Sequence, residues 1–305
     1  VKLFALDPYR EMGRSLAQLV GLDAWQAYRL RRFANGELQA ILECDVALED
    51  CYVLGTVEPP EENLVELSLF SHTLQRNGAA AVWALLPYTA YARQDQPEPG
   101  RSMAARWIFD LLQASGVSGV YTFDLHNRAL VADVSVPVVS ISTAPAFARI
   151  LRREITSDWT LVAPDFGAIA RCDRLESELG VALGRARFDK RRTESGVSSQ
   201  LVGAVTEKAL IYDDILDTGE TLVRCCEGLR SAGARSIVVA VTHGLFTGTK
   251  WQELWNLGVT RIICTDSVQP IRCEDPRIEI VPCVEWIAQE CGLIPGETYV
   301  ENRAR

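Results

Sequence analysis

Short apolar runs that read as strands alternate with helically spaced apolar stripes along almost the whole chain, and this alternation restricts the fold more than any other feature. Candidate strands are 51–57, 80–86, 117–123, 138–141, 160–163, 182–188, 209–212, 236–241 and 261–264. Between them, Leu67, Phe70 and Leu74 recur at helical spacing, as do Ala104, Trp107, Ile108 and Leu111, and Leu222, Cys225, Cys226 and Leu229. Strands this short and this uniformly apolar suit burial on both faces. Strand–helix alternation therefore predicts parallel sheets covered by helices, the α/β class.

The pattern repeats. Leu67, Phe70, Leu74, Gly78-Ala79 and Val82 each have a counterpart 155 positions later, in Leu222, Cys225, Leu229, Gly233-Ala234 and Ile237. Both segments read as helix, Gly-Ala turn, strand. The offset is about half of the 305 residues, which favours two copies of one α/β domain with a division near 142–145. No low-complexity linker marks that division, so the domains are expected to pack tightly. No apolar run nears the roughly 20 residues that cross a bilayer. The opening Val1-Lys2-Leu3-Phe4-Ala5 is strand-like and unlike a signal peptide. A net charge of −9 argues against a nucleic-acid partner, which a basic face would attract. Nine scattered cysteines, an odd number without a C-x-x-C pair, read as reduced thiols in a cytoplasmic protein.

The most informative stretch is residues 209–221, Ala-Leu-Ile-Tyr-Asp-Asp-Ile-Leu-Asp-Thr-Gly-Glu-Thr. An apolar strand ends in Asp213-Asp214, and after a short loop Asp217-Thr218-Gly219-Glu220-Thr221 opens an amphipathic helix. A helix start presents unpaired N–H groups and partial positive charge, which suit a phosphate. Gly219 lets backbone approach a ligand closely, Thr218 and Thr221 add hydroxyl donors, and Asp213 and Asp214 accept from sugar hydroxyls. A simple helix cap explains Thr218 but leaves three carboxylates crowded beside it. A phosphorylated sugar satisfies the whole segment.

Four other segments carry polar groups at strand ends or loops. Arg32-Phe33-Ala34-Asn35-Gly36-Glu37 sets an aromatic face beside polar groups, as a stacked purine would require. Tyr91-Ala92-Arg93-Gln94-Asp95 follows a buried strand and offers a guanidinium fork and a two-way amide. His126 follows the strand ending Thr122-Phe123-Asp124. Asp165 and Gly167 follow the strand at 160–163, and Asp189-Lys190-Arg191-Arg192 follows the next. Each has a bland alternative: a core phenylalanine, a structural histidine, an Asp165 helix cap, a solvated basic run.

In their joint order, these segments resemble the ribose-phosphate diphosphokinase (PRPP synthase) family of the type I phosphoribosyltransferase-like superfamily. The resemblance runs from Lys2-Leu3-Phe4 through Thr242-His243-Gly244 to a helix at 284–290. It implies two similar phosphoribosyltransferase-type domains, each a mainly parallel sheet flanked by helices: residues 1–142 on the nucleotide side and 143–305 on the ribose-5-phosphate side. It also implies an enzyme whose substrates are ATP and ribose 5-phosphate, with the diphosphate of ATP transferred whole to the C1 hydroxyl, a Mg²⁺ cofactor, and a homo-oligomer between dimer and hexamer.

Residue roles follow from the same resemblance. Phe33, Asn35, Gly36, Glu37, Arg93 and Gln94 would hold ATP, and His126 and Asp165 match the magnesium positions. Lys190 and Arg192 match the catalytic loop, with Arg192 also reaching ribose 5-phosphate. Asp213 and Asp214 would take the ribose hydroxyls, and Asp217, Thr218, Gly219, Glu220 and Thr221 the 5-phosphate. The polar, aperiodic stretch 193–199 is expected to be a loop that closes over the ATP phosphates.

Three positions depart from the family pattern. Asn35 stands where many members carry Asp, and it donates as well as accepts. Glu220 replaces a small residue. The run at 96–101, with one arginine, two prolines and a glutamate, replaces a basic segment and implies weaker control by phosphate or ADP. Two other readings stay open: a phosphoribosyltransferase, and a catalytically silent homologue that acts by binding partners.

Overall fold

The computed structural model of the protein describes residues 1–22, 27–193 and 196–295; for 190–193 and 196–199 it describes the backbone alone. The chain divides into two units, Val1–Ser142 together with the segment from Cys283, and Thr143–Pro282.

The first unit contains β1 (Lys2–Ala5), α1 (Arg10–Val20), β2 (Tyr28–Arg32), β3 (Leu38–Leu42), β4 (Asp50–Leu54), α2 (Glu62–Arg76), β5 (Ala81–Leu86), α3 (Ala104–Ala114), β6 (Gly119–Phe123), α4 (Leu130–Asp133) and β7 (Val138–Ile141). Five of its strands form a wholly parallel sheet in the order β1-β4-β5-β6-β7. The second unit contains α5 (Ala144–Leu151), β8 (Trp159–Ala163), α6 (Ile169–Leu179), β9 (Gly184–Thr193), β10 (Gly196–Gly203), β11 (Lys208–Leu216), α7 (Glu220–Ser231), β12 (Ser236–Gly244), a 3₁₀ segment (Lys250–Leu257), β13 (Val259–Thr265) and β14 (Ile278–Val281). Its sheet has the order β10-β9-β8-β11-β12-β13-β14, and only the β9–β10 pair is antiparallel. The last helix, α8 (Val284–Glu290), belongs to the first unit.

The apolar strands behave as expected of a sheet buried on both sides. All five residues of β8 are buried, as are eight of nine in β12. Because side chains alternate across a pleated strand, Val162, Ile211 and Val239 enter one core with α7, while Leu161, Leu210 and Val238 enter the opposite core with α5 and α6.

Three expectations change, and one element was not foreseen. The segment from Cys283, assigned from sequence to the second domain, clusters with the first: α8 packs on α1 and β7, Trp286 meets Phe123 edge-on at 6.1 Å, and Tyr52 Oη donates to the Cys291 carbonyl. The α3 stripe is rotated, so that Ala105, Ile108, Phe109 and Leu112 are buried while Trp107 is half exposed and packs edge-on against Tyr91. The stretch 193–199 is not a simple loop, because Thr193 ends β9 and Gly196 begins β10 in a paired ladder. Ladder bonds are made by backbone, so polar side chains are no obstacle at a sheet edge. Finally, β2 and β3 form a separate antiparallel hairpin.

Candidate active site

β11 carries Asp213 and Asp214 near its carboxyl end. The Asp217-Thr218-Gly219 turn that follows is braced from behind. The Leu216 carbonyl accepts from the amides of Leu245 (2.8 Å) and Phe246 (3.2 Å), and the Asp217 carbonyl accepts from Thr247 (3.1 Å). Gly219 has φ of +87°, and an added Cβ would lie 2.5 Å from the Trp251 Cα. Only glycine fits this corner. The helix α7 then starts with no side-chain cap among the described residues, leaving its first-turn amides for a ligand. Thr218 and Thr221 are exposed beside them. The Glu220 carboxylate pairs with Arg224 one turn along.

β8 delivers Asp165, whose Oδ1 accepts from the Ala168 amide (3.2 Å) at the start of α6. Two residues into that helix, Arg171 bridges the aspartates of β11, with Nη1 at 3.3 Å from Asp213 Oδ1 and Nη2 at 3.4 Å from Asp214 Oδ2. The Asp213 carboxyl is pushed well above the ordinary aspartate range, first by burial and then by the Asp214 charge; Arg171 opposes the shift and Asp165 adds to it. Asp165, Asp213, Asp214 and Arg171 thus form one electrostatic group.

In the first unit, Phe33–Glu37 forms the tip of the β2–β3 hairpin. The Phe33 amide donates to the Glu37 carbonyl (2.9 Å), Gly36 turns with φ of +89°, and Asn35 Oδ1 accepts from the Glu37 amide (3.2 Å). Phe33 is 41% exposed, so it is not a core residue, and the Arg31 guanidinium lies 4.9 Å from its ring centre. Tyr28 anchors the hairpin root: its Oη donates to the Ala5 carbonyl (2.7 Å) and its ring lies 4.7 Å from Phe70.

Arg93 and Gln94 are exposed in the segment after β5. Gln94 Oε1 accepts from Ser102 Oγ (2.8 Å), and the Gln94 carbonyl accepts from the Ala105 amide. His126 is exposed after β6. The two loops are tied together by Asn127 Nδ2, which donates to Asp95 Oδ2 (2.5 Å). Arg101, the lone cation of the 96–101 run, is paired with Glu98.

The structure therefore gathers Asp165, Asp213 and Asp214 in one unit, with the Asp217–Thr221 turn following on β11, and joins the Arg93–Gln94 loop to the His126 loop in the other. The Phe33–Glu37 tip stands on its own hairpin. Lys190 and Arg192 lie on the backbone of β9, and their side chains fall outside the described residues. Among the described residues no three His, Cys, Asp or Glu side chains, Asp165, Asp213 and Asp214 included, are arranged to hold a metal ion by themselves. The donor chemistry nonetheless suits magnesium: Asp165 is a hard oxygen donor in a group with more carboxylates than cations. Sequence reasoning missed Arg171, although its signal was present: it lies six residues beyond Asp165, within the first turn of a helix that begins at a strand end. It also missed Trp251, the reason for Gly219.

Comparison with known proteins accounts for both units. Residues 1–116 match the model for the N-terminal domain of ribose phosphate pyrophosphokinase, and residues 143–275 match the phosphoribosyl transferase domain. A ribose-phosphate pyrophosphokinase from Brucella melitensis is 31% identical over 99% of both chains, and one from Thermotoga maritima is 30% identical over 88% of this chain and 87% of its own. The crystal structure of phosphoribosylpyrophosphate synthetase from Mycobacterium smegmatis superposes with a TM-score of 0.85 at 26% identity, covering 94% of this chain and 96% of that one. With both units matched in order and relatives aligned end to end, the chain belongs to the ribose-phosphate pyrophosphokinase family.

Proposed function

We propose that this protein is a Mg²⁺-dependent diphosphotransferase that converts ATP and ribose 5-phosphate to PRPP and AMP. The observation that carries the reading is the continuous stretch from Asp213 to Thr221, where a carboxylate pair, a positive-φ glycine and an uncapped helix start follow one another on β11 and α7. A phosphopentose satisfies all three. The α7 amides with Thr218 and Thr221 bind the 5-phosphate, and Asp213 and Asp214 accept from ring hydroxyls. Glu220 serves through its backbone, because its carboxylate is engaged by Arg224. Phe33, Asn35, Gly36 and Glu37 form the adenine contact, with Arg93 and Gln94 on the nucleotide.

The transfer breaks one bond and makes one. The C1 hydroxyl oxygen bonds to the β-phosphorus, the bond from that phosphorus to the oxygen shared with the α-phosphorus breaks, and AMP leaves with that oxygen. The hydroxyl proton passes to solvent. Such transfers depend on positioning and on cancelling phosphate charge. His126 in the first unit and Asp165 in the second are each a residue that the family resemblance assigns to Mg²⁺, and the metal would supply positive charge to the transferred group. Lys190 and Arg192 add further charge, and loss of one such group typically costs about 10²–10³ in rate.

The same reading makes the protein a homo-oligomer, dimer to hexamer, working in the cytoplasm. None of the nine cysteines is in a disulfide, as a reducing compartment allows, and no described helix is long and apolar enough to cross a membrane. The test is direct: ATP, Mg²⁺ and ribose 5-phosphate are mixed with the protein and products are followed by ³¹P NMR. PRPP and AMP in equal amounts are expected. AMP without PRPP, or no product, overturns the reading, and the second result favours a silent binding homologue.

A further inference from the structure

Arg171 is unusual in being a nearly buried cation that contacts two adjacent carboxylates at once. Its side chain is 12% exposed, and those of Asp213 and Asp214 are 15% and 5% exposed. The two nitrogens at the fork reach one oxygen of each aspartate at 3.3 and 3.4 Å. The Asp214 amide donates to the same Asp213 Oδ1 at 2.9 Å, so that oxygen is held from two directions.

The helix that carries Arg171 is itself fastened. The neighbouring Cys172 thiol lies 3.8 Å from the Val162 carbonyl of β8 and 3.7 Å from the Tyr212 carbonyl of β11, one residue before Asp213. At the start of α6, Asp165 Oδ1 accepts from Ala168. The Asp165 loop, the first turn of α6 and the Asp213–Asp214 pair are thereby linked through the fork.

We propose that Arg171 is a positioning residue that fixes the two aspartates as a rigid acceptor pair for the ribose hydroxyls, and couples that pair to the Asp165 loop. The inference rests on reading Asp213 and Asp214 as the hydroxyl acceptors. A guanidinium suits the task because its planar donors span two acceptors from one stem, whereas an ammonium is a point charge. With one oxygen of each carboxylate held by the fork, the two carboxylates keep a fixed orientation relative to each other. Misplacing such groups by about an ångström is enough to cost on the order of 10²-fold in rate.

The test measures kinetics for each substrate separately in wild type, Arg171→Ala and Arg171→Lys, alongside melting temperatures. Arg171→Ala is expected to raise KM for ribose 5-phosphate at least about tenfold and lower kcat, with KM for ATP within about twofold. Arg171→Lys, which keeps the charge but not the fork, is expected to show the same split. Methylguanidinium at millimolar concentration is expected to restore Arg171→Ala and leave Arg171→Lys unchanged. If Arg171→Ala does not fold, the split in Arg171→Lys decides.

Equal loss for both substrates, unchanged KM for ribose 5-phosphate, or full activity in Arg171→Lys overturns the inference while leaving the diphosphotransferase reading intact. A wild-type protein that makes no PRPP overturns both.

Discussion

The backbone of Trp251 closes the space behind Gly219: a Cβ on the glycine would lie 2.5 Å from the Trp251 Cα and 2.9 Å from its nitrogen. Gly219 also has φ of +87°, where L side chains are strained. The obstructing atoms include main chain, so trimming the tryptophan side chain gives no relief. Gly219→Ala is expected to shift the start of α7 and cost about 1–3 kcal/mol of stability. Steady-state kinetics should show KM for ribose 5-phosphate rising well beyond that for ATP, and Trp251→Ala in the same chain should not restore it.

Asp213 is held at a stability cost. Burial and the neighbouring Asp214 keep its proton on to higher pH than in the unfolded chain. Between the ordinary aspartate value, about 3.9, and the raised native value, the native state binds more protons, so stability falls as pH rises through that window. Asp213→Asn removes the charge and the loss with it. Its melting temperature is expected to exceed that of wild type at pH 7, with the gap closing towards pH 4. Ribose 5-phosphate should raise the melting temperature of wild type but not of the variant.

The hairpin bearing Phe33 gives a third prediction. Tyr28 is buried, and its pKa is pushed up to about 12 chiefly by burial, so at neutral pH its hydroxyl stays protonated and donates to Ala5. Tyr28→Phe keeps the ring against Phe70 and removes the bond to Ala5, worth about 1 kcal/mol, together with the hydroxyl's interaction with Arg10. The root of the β2–β3 hairpin should loosen. KM for ATP is expected to rise about threefold to fivefold, with KM for ribose 5-phosphate unchanged.

What could be read from the chain followed its physics. All nine candidate strands are present, most of them because buried parallel strands are uniformly apolar, whereas 182–188 alternates Arg185 and Arg187 with Ala186 and Phe188. The β2–β3 hairpin was not read from the chain: Tyr-Arg-Leu-Arg alternates apolar and polar residues over only four positions, and the contacts of Tyr28 with Phe4 and Phe70 lie far away in sequence. β10 escaped for a different reason, being an edge strand of polar sequence held in the sheet by its ladder with β9. At the site, Gly219 announced itself by the Asp-Thr-Gly-x-Thr context, but Trp251, which makes it obligatory, is visible only in three dimensions. Arg171 was hidden because an arginine within a helix is ordinarily a surface residue, and only the adjoining strand reveals two aspartates within its reach.

The bond from Asn127 to Asp95 leads to the last prediction. These side chains join the loop after β5, which carries Arg93 and Gln94, to the loop after β6, which carries His126. Asp95 also accepts from Gln96 at 3.2 Å, so the carboxylate organises both sides of the junction. Neither residue needs to touch substrate to matter. Asn127→Ala deletes a charge-assisted bond of about 1.5–3 kcal/mol and frees the two loops from each other. If Arg93 and Gln94 hold nucleotide while His126 holds Mg²⁺, the variant should require more of both. The expected result is an increase of about tenfold in KM for ATP together with a higher Mg²⁺ concentration for half-maximal rate. Asp95→Ala should behave the same way, and the double variant should be no worse than either single one, because all three remove a single link. Additive losses in the cycle would show that the two loops act separately.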